Sequence, residues 1–184
     1  MSRIQSLVTN YKKFIDLPWR DVSSEQRIIF CVYDPTEEMA LRYNIPAFKL
    51  ATEDTGHIWM EYDLTTCFED WMGKQKYAEA YFAEPEKLLQ MPRKFEDYIE
   101  ELFREKTAGT NKDTMIGIVG VANIFGFITV KEFIEKLAND VDSRIVLFFP
   151  GTYSSSPTSN YRFLNAYDNW SYLATPITAD ISNF

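Results

Sequence analysis

Four carboxylates sit where an α/β fold could turn them to acid–base or metal chemistry: Asp34, Glu61, Asp63 and Asp113. Asp34 and Asp63 each close an apolar run, and strand ends of this kind are where open α/β sheets hold ligands. On neighbouring strands the two would frame a magnesium site. Each also has a structural explanation, and that is the favoured one. Asp34 is followed by Pro35 and Glu37, the pattern of a helix N-cap, a first-turn proline and a capping-box acid. Asp63 stands just before the polar turn Thr65-Thr66.

Two stretches invite comparison with phosphate loops. Residues 144–151, RIVLFFPG, run a β-branched strand straight into Pro-Gly, and residues 117–127, GIVGVANIFGF, carry Gly117 and Gly120. A phosphate loop continues from its strand with glycine-rich amides, a lysine and the positive end of a helix. After Gly151 the chain reads TYSSSPTSN, without lysine or helical pattern, so Pro150-Gly151 is expected to end the strand and turn the chain. The second stretch lacks GxGxxG spacing and a Lys-Ser/Thr pair. It reads as a buried strand whose glycines admit a closely packed helix.

Nucleophilic catalysis needs a Ser, Cys or Thr beside a positioned base. His57 is the single histidine, it opens a strand, and neither Cys31 nor Cys67 is near it in sequence. With no CxxC and no zinc-ligand spacing, both cysteines are expected as small buried apolar residues. Tyr153, Tyr161, Tyr167, Trp170 and Tyr172 crowd one segment and could stack bases, but single-strand binders pair aromatics with a basic groove, and only Arg162 is at hand. Tyr, Trp and Arg are typical interface anchors, which makes Tyr153, Tyr161, Arg162 and Trp170 the candidate partner-binding residues. No catalytic, cofactor-binding or metal-ligating set stands out, so an enzyme is not expected.

The elements that must position these residues emerge from periodicity. Ile4, Leu7, Val8, Tyr11 and Phe14 recur at helical spacing from residue 3 to about 16. Residues 27–33, RIIFCVY, form a strand handing over at Asp34 to a helix that meets Pro46, where a break or kink is expected. A second strand, HIWMEYDL, leads to Thr66 and Glu69, a capping-box pair opening a helix around Trp71. Residues 75–107 are helical, with Pro85 and Pro92 marking starts. Beyond the polar loop 107–113, TAGTNKD, come the strand MIGIVGV, a helix capped at Thr129 and the strand RIVLFFP. Apolar strands alternating with helices indicate α/β architecture, a mainly parallel sheet covered on both faces. The segments YRFLNAY and WSYLATPI read as two short strands in a C-terminal hairpin or sheet edge.

The 184 residues are enough for one domain, residues 1–184, and too few for two comfortable ones. A net charge of −8 opposes direct nucleic-acid binding and attraction to anionic lipid. The N-terminus lacks an apolar signal core and no apolar stretch approaches the length of a membrane span, so the expected location is cytoplasmic.

Four blocks, IIFCVYDPTEE at 28–38, GIVGVANIFGFITVKEFIEKL at 117–137, RIVLFFPGTY at 144–153 and NYRFLNAYDNWSYLATPI at 160–177, together resemble the BrxB family, the small component of BREX bacteriophage-exclusion systems. The resemblance spans nearly the whole chain. It implies a Rossmann-like or P-loop-NTPase-like sheet without a P-loop, no cofactor, and a non-catalytic adaptor in an anti-phage complex. A PglZ-type phosphatase-like protein is the implied partner, with a BrxC-type ATPase and a PglX-type DNA methyltransferase in the larger assembly. The family offers no catalytic motif to carry over. The alternative is a nucleotide-responsive or hydrolytic domain using Asp34, Asp63 and the loop from Gly117 to Gly126.

Overall fold

The computed structural model describes residues 1–20, 22–90, 92–155, 159–164, 166 and 171–180. Two runs of six residues, β1 (Ile28–Tyr33) and β3 (Thr114–Val119), are buried at every position. A strand buried on both faces needs cover on both sides, and parallel sheets obtain it from crossover helices. With β2 (Ile58–Asp63), β4 (Arg144–Ser154) and β6 (Thr175–Ile177) they form a parallel sheet in the order β2-β3-β4-β1-β6, and β5 (Asn160–Phe163) pairs antiparallel with β4. The fold is α/β and Rossmann-like.

Alternation along the strands divides the core in two. Ile29, Cys31, Tyr33, Val146 and Phe148 face α1 (Arg3–Ile15) and α2 (Glu38–Asp54). Phe30, Ile116, Ile118, Leu147 and Phe149 face α3 (Cys67–Gly73), α5 (Pro92–Thr107) and α6 (Val130–Asp140), with α4 (Ala78–Ala83) at the margin. The crossover through α2 carries the chain from β1 past two strands to β2, and those through α3–α5 and α6 bring it back over the opposite face. Right-handed crossovers require that change of face with the change of direction.

Local chemistry explains most element starts. Ser2 and Gln5 make a reciprocal capping box at α1, Thr129 accepts from the Glu132 amide at 3.2 Å, and Pro85 and Pro92 open a 3-10 turn and α5. Asp34 caps a 3-10 turn, Pro35–Glu37, accepting from the Thr36 amide at 2.9 Å, and α2 begins only at Glu38. The Thr66–Glu69 box does not form. Thr66 has φ −106° and ψ 4°, away from the extended backbone that aims an N-cap oxygen at the first turn, and its hydroxyl bonds Asp70 at 2.9 Å instead. The helix α2 runs unbroken through Pro46, because Ile45 and Phe48 anchor the turns around it in the core while Pro46 itself is exposed.

Pro150-Gly151 does not end β4, which continues to Ser154. Pro150 is the last residue paired with β1, so its missing N–H falls where the parallel ladder stops, and Gly151 begins an antiparallel hairpin opposite Phe163. A Cβ at Gly151 would lie 2.1 Å from the Arg162 carbonyl oxygen. Gly117 likewise serves a close approach, to the Trp59 ring of the adjacent strand at 2.3 Å rather than to a helix. The two C-terminal segments divide the expected roles: β5 lies in the hairpin and β6 at the sheet edge. Arg3 binds Asp180 at 2.7 and 3.0 Å, and Asn10 donates to the Thr178 carbonyl at 2.8 Å, tying α1 to the residues after β6.

Gly151→Ala is expected to destabilise the protein by about 1–3 kcal/mol through overpacking. Gly73→Ala, at a helical position with open space around its Cα, is expected to be neutral or stabilising by up to about 1 kcal/mol. Urea unfolding of the two variants beside the parent checks both.

Candidate functional site

The C-terminal edge of the sheet is held by side chains bonded to one another. Asp34 accepts from the Thr36 amide and hydroxyl at 2.9 and 2.6 Å, and these bonds hold its carboxyl below the usual carboxylate range. Asp63 accepts from the Thr65 amide at 2.8 Å and from its hydroxyl. That hydroxyl in turn accepts from Arg42 at 2.7 Å, Arg42 donates to Glu38 at 2.7 Å, and Tyr33 donates to Glu38. A left-handed Gly120, at φ +74°, lets the β3 end pass so close that a Cβ would meet the Thr65 amide at 2.8 Å. The network laces β1, α2 and the loop after β2 together.

Asp34 and Asp63 are not on neighbouring strands. β3 and β4 lie between β1 and β2, a separation of three strand spacings or about 14 Å, so the alternative of a shared magnesium site does not assemble, and both carboxylates take the structural roles favoured for them. Glu61 is exposed on the edge strand β2, and Asp113 lies at the opposite end of the sheet, just before β3. Both cysteines are buried, and burial raises both thiols, Cys67 to about 12, far from a reactive thiolate.

At the N-terminal end of the sheet the chain leaves a cleft of about 380 Å³ lined by Trp19, Arg20, Val22, Arg27, Lys112, Asp113, Asp142 and Arg144. Its parts come from the lead into β1, the turn before β3 and the start of β4. Trp19 stacks on His57 with centroids 3.5 Å apart and planes 11° apart, and the Arg144 guanidinium lies 4.7 Å from the same indole. Arg144 donates to the Arg20 carbonyl at 3.1 Å, and burial with the nearby Arg27 charge lowers its pKa. Arg27 donates to the Val141 carbonyl at 2.8 Å, closing the C-terminus of α6. His57, expected to open a strand, is half-buried immediately before β2.

The aromatic C-terminal segment is mostly core. Tyr161 is fully buried, stands 4.9 Å from Phe30 and donates its hydroxyl to the Ala174 carbonyl at 2.8 Å, so it holds the hairpin to the sheet and offers no contact surface. Phe163 and Tyr172 are buried as well. Tyr153 is half-buried against Tyr161, and Arg162 points outward between buried neighbours. Trp170 and Tyr167 lie outside the described residues.

A surface that sequence inspection missed lies on α2. Met39, Tyr43 and Leu50 are 78%, 87% and 58% exposed, and with exposed Pro46 they fall at i, i+4, i+7 and i+11 on the side opposite buried Leu41, Ile45 and Phe48. The signal was a helix apolar at two interleaved helical phases. The cleft gave no such signal, because its residues are far apart in sequence. Among the described residues, no group of three His, Cys, Asp or Glu side chains could hold a metal ion, and no helix is long and apolar enough to cross a membrane.

Comparison with family models, curated proteins and solved structures finds no match to this chain. The likeness to the BrxB family rests on the four sequence blocks alone.

Desolvation, with Arg144 nearby, outweighs Asp113 and lowers the His57 pKa. The folded protein therefore binds this proton less tightly than the unfolded chain, whose value is about 6.5. Stability is full above that value and falls as pH drops below it. The single imidazole signal in NMR is expected to titrate with a midpoint below about 6.5, and the melting temperature to fall less between pH 7.5 and 5.5 in His57→Gln than in the parent.

Proposed function

We propose that this chain is a non-catalytic assembly component of a BREX anti-phage complex and that it binds a PglZ-type phosphatase-like protein. A BrxC-type ATPase and a PglX-type DNA methyltransferase complete the assembly, in the cytoplasm, and this chain meets DNA through those partners. The four BrxB-like blocks support the choice of system and partner.

The observation that carries the protein-binding part is the outward stripe of α2. A second apolar phase on a helix already seated in the core contributes nothing to the monomer, and an exposed i, i+4, i+7, i+11 series suits an amphipathic helix laid along it. Lys49 and Glu53, 3.8 Å apart, flank the stripe and supply the polar rim such contacts have. The occupant is an amphipathic helix of the PglZ-type protein. Tyr153 and Arg162 on the hairpin form a second contact region.

Co-expression with the neighbouring PglZ-type protein, followed by light scattering of the eluted species, is expected to give a defined heterocomplex. The double variant Tyr43→Glu/Leu50→Glu is expected to weaken it by about 2 kcal/mol or more, roughly thirtyfold in Kd, with an unchanged melting temperature. Arg162→Glu measures the hairpin separately. Two monomer peaks from the parent proteins at micromolar concentration would remove the PglZ-type partner, and a complex indifferent to the α2 variant would remove the stripe as its docking surface.

A further inference from the structure

We infer that the outer edge of β2 takes up an extended, lysine- or arginine-bearing segment of a partner protein as an added strand. This stands apart from the assembly reading and uses neither the α2 stripe nor the hairpin. β2 ends the sheet order, with β3 on one side only. The Ile58 amide donates to the Asp113 carbonyl at 2.9 Å and the Leu64 amide to the Val119 carbonyl at 3.0 Å, so the parallel ladder takes the backbone groups of residues 58, 60, 62 and 64. The amides and carbonyls of Trp59, Glu61 and Asp63 therefore point away from the sheet and have no hydrogen-bond partner among the described residues.

The two edges of the sheet are built differently. Natural edges are blunted by short length, proline, lysine or a bulge. β6, at the far edge, is three residues long and contains Pro176. β2 has none of these devices: its six residues match β3 one for one from Ile58↔Thr114 to Asp63↔Val119, without proline or lysine. Its apolar side chains reach the surface too, Ile58 at 54% exposure and Met60 half-buried on the same face. Alternating donors and acceptors along such an edge are met by an extended backbone, which fixes the conformation of the occupant.

Charge fixes its composition. Glu61 and Asp63 stand on one face of the strand, and Glu61 makes no ion pair among the described residues. Both Asp63 bonds to Thr65 use Oδ1, leaving Oδ2 to accept. Arg42, which reaches Thr65, is held by Glu38 at 2.7 Å, and Lys106 lies over the Tyr62 ring on the opposite face. Cationic residues at alternate positions of the added strand would face both carboxylates, and opposite charges across a strand pair stabilise it where like charges destabilise it. A second copy of this chain meets the contrary. The antiparallel register that uses all three outward residues of each copy sets the two Glu61 side chains opposite one another, between chains that each carry a net charge of −8.

The test titrates the isotope-labelled full chain with a capped heptapeptide of alternating lysine and valine at low ionic strength, following each amide by NMR. Saturable binding with a Kd below about 1 mM is expected, with hydrogen exchange at the Trp59, Glu61 and Asp63 amides slowed at least tenfold while Met60 and Tyr62, already bonded to β3, change little. Added salt weakens the complex. Glutamate in place of lysine in the peptide, or Glu61→Lys in the protein, is expected to weaken binding at least tenfold, and an unchanged melting temperature shows that the variant folds. N-methylation of the peptide at one alternate set of residues removes the donors aimed at β2 and is expected to abolish binding, whereas methylation of the other set is tolerated. No response of the edge amides at about 10 mM peptide, equal affinity for the glutamate peptide, binding indifferent to Glu61→Lys, or tolerance of N-methylation at both sets overturns the inference. So does a dimer of the free chain whose Trp59 and Glu61 amides are already protected, which would assign the edge to a second copy.

Discussion

The parallel ladder that β4 makes with β1 and β3 is the constraint on which the remaining structure depends. Residues 145–151 are buried without interruption, as is the whole of β1. Polar backbone groups in such a place must be paired strand to strand, and the side chains on both faces must be covered. Each large side chain so covered contributes about 1.5–3 kcal/mol, against about 1 kcal/mol for a helix cap. Packing therefore decides the architecture, and caps adjust helix ends. That ordering explains why α3 forms although its expected box does not, and why α2 tolerates a proline.

The two ends of the sheet differ in chemical character. At the C-terminal end, where α/β proteins generally hold ligands, Asp34, Asp63, Glu38, Arg42 and Thr65 bond to one another or to nearby backbone. Their donors and acceptors go to fixing loops. At the N-terminal end, cationic and acidic side chains line an open cleft. The same scaffold thus spends polar groups on rigidity at one edge and concentrates charge at the other.

Elements carried by local pattern were legible in the sequence. The helical spacing of Ile4, Leu7 and Tyr11, the apolar runs of β1 and β3, and the turn chemistry of Asp34 and Thr129 each act within a few residues. The illegible part depends on distance. Whether Asp34 and Asp63 are neighbours is set by strand order, which no local pattern encodes. Pro150 reads as a stop in one dimension, but it is the last pair of the parallel ladder, and Gly151 is then needed for the approach of Arg162. Tyr161 resembles an interface anchor in type, and only the fold reveals that Phe30 and Phe149 surround it. The cleft joins residues from Trp19 to Arg144, and the outward stripe of α2 is visible only once the inward one is known.

β4 is one continuous strand of eleven residues, about 36 Å long, serving two sheets at once. Its first part carries the parallel ladder and its last four residues carry the hairpin with β5. The strand runs through Pro150 and Gly151 without a break. A load applied to the hairpin passes along the backbone as shear on the central ladder, where many hydrogen bonds resist together. The hairpin is mechanically a handle on the core rather than a hinged flap.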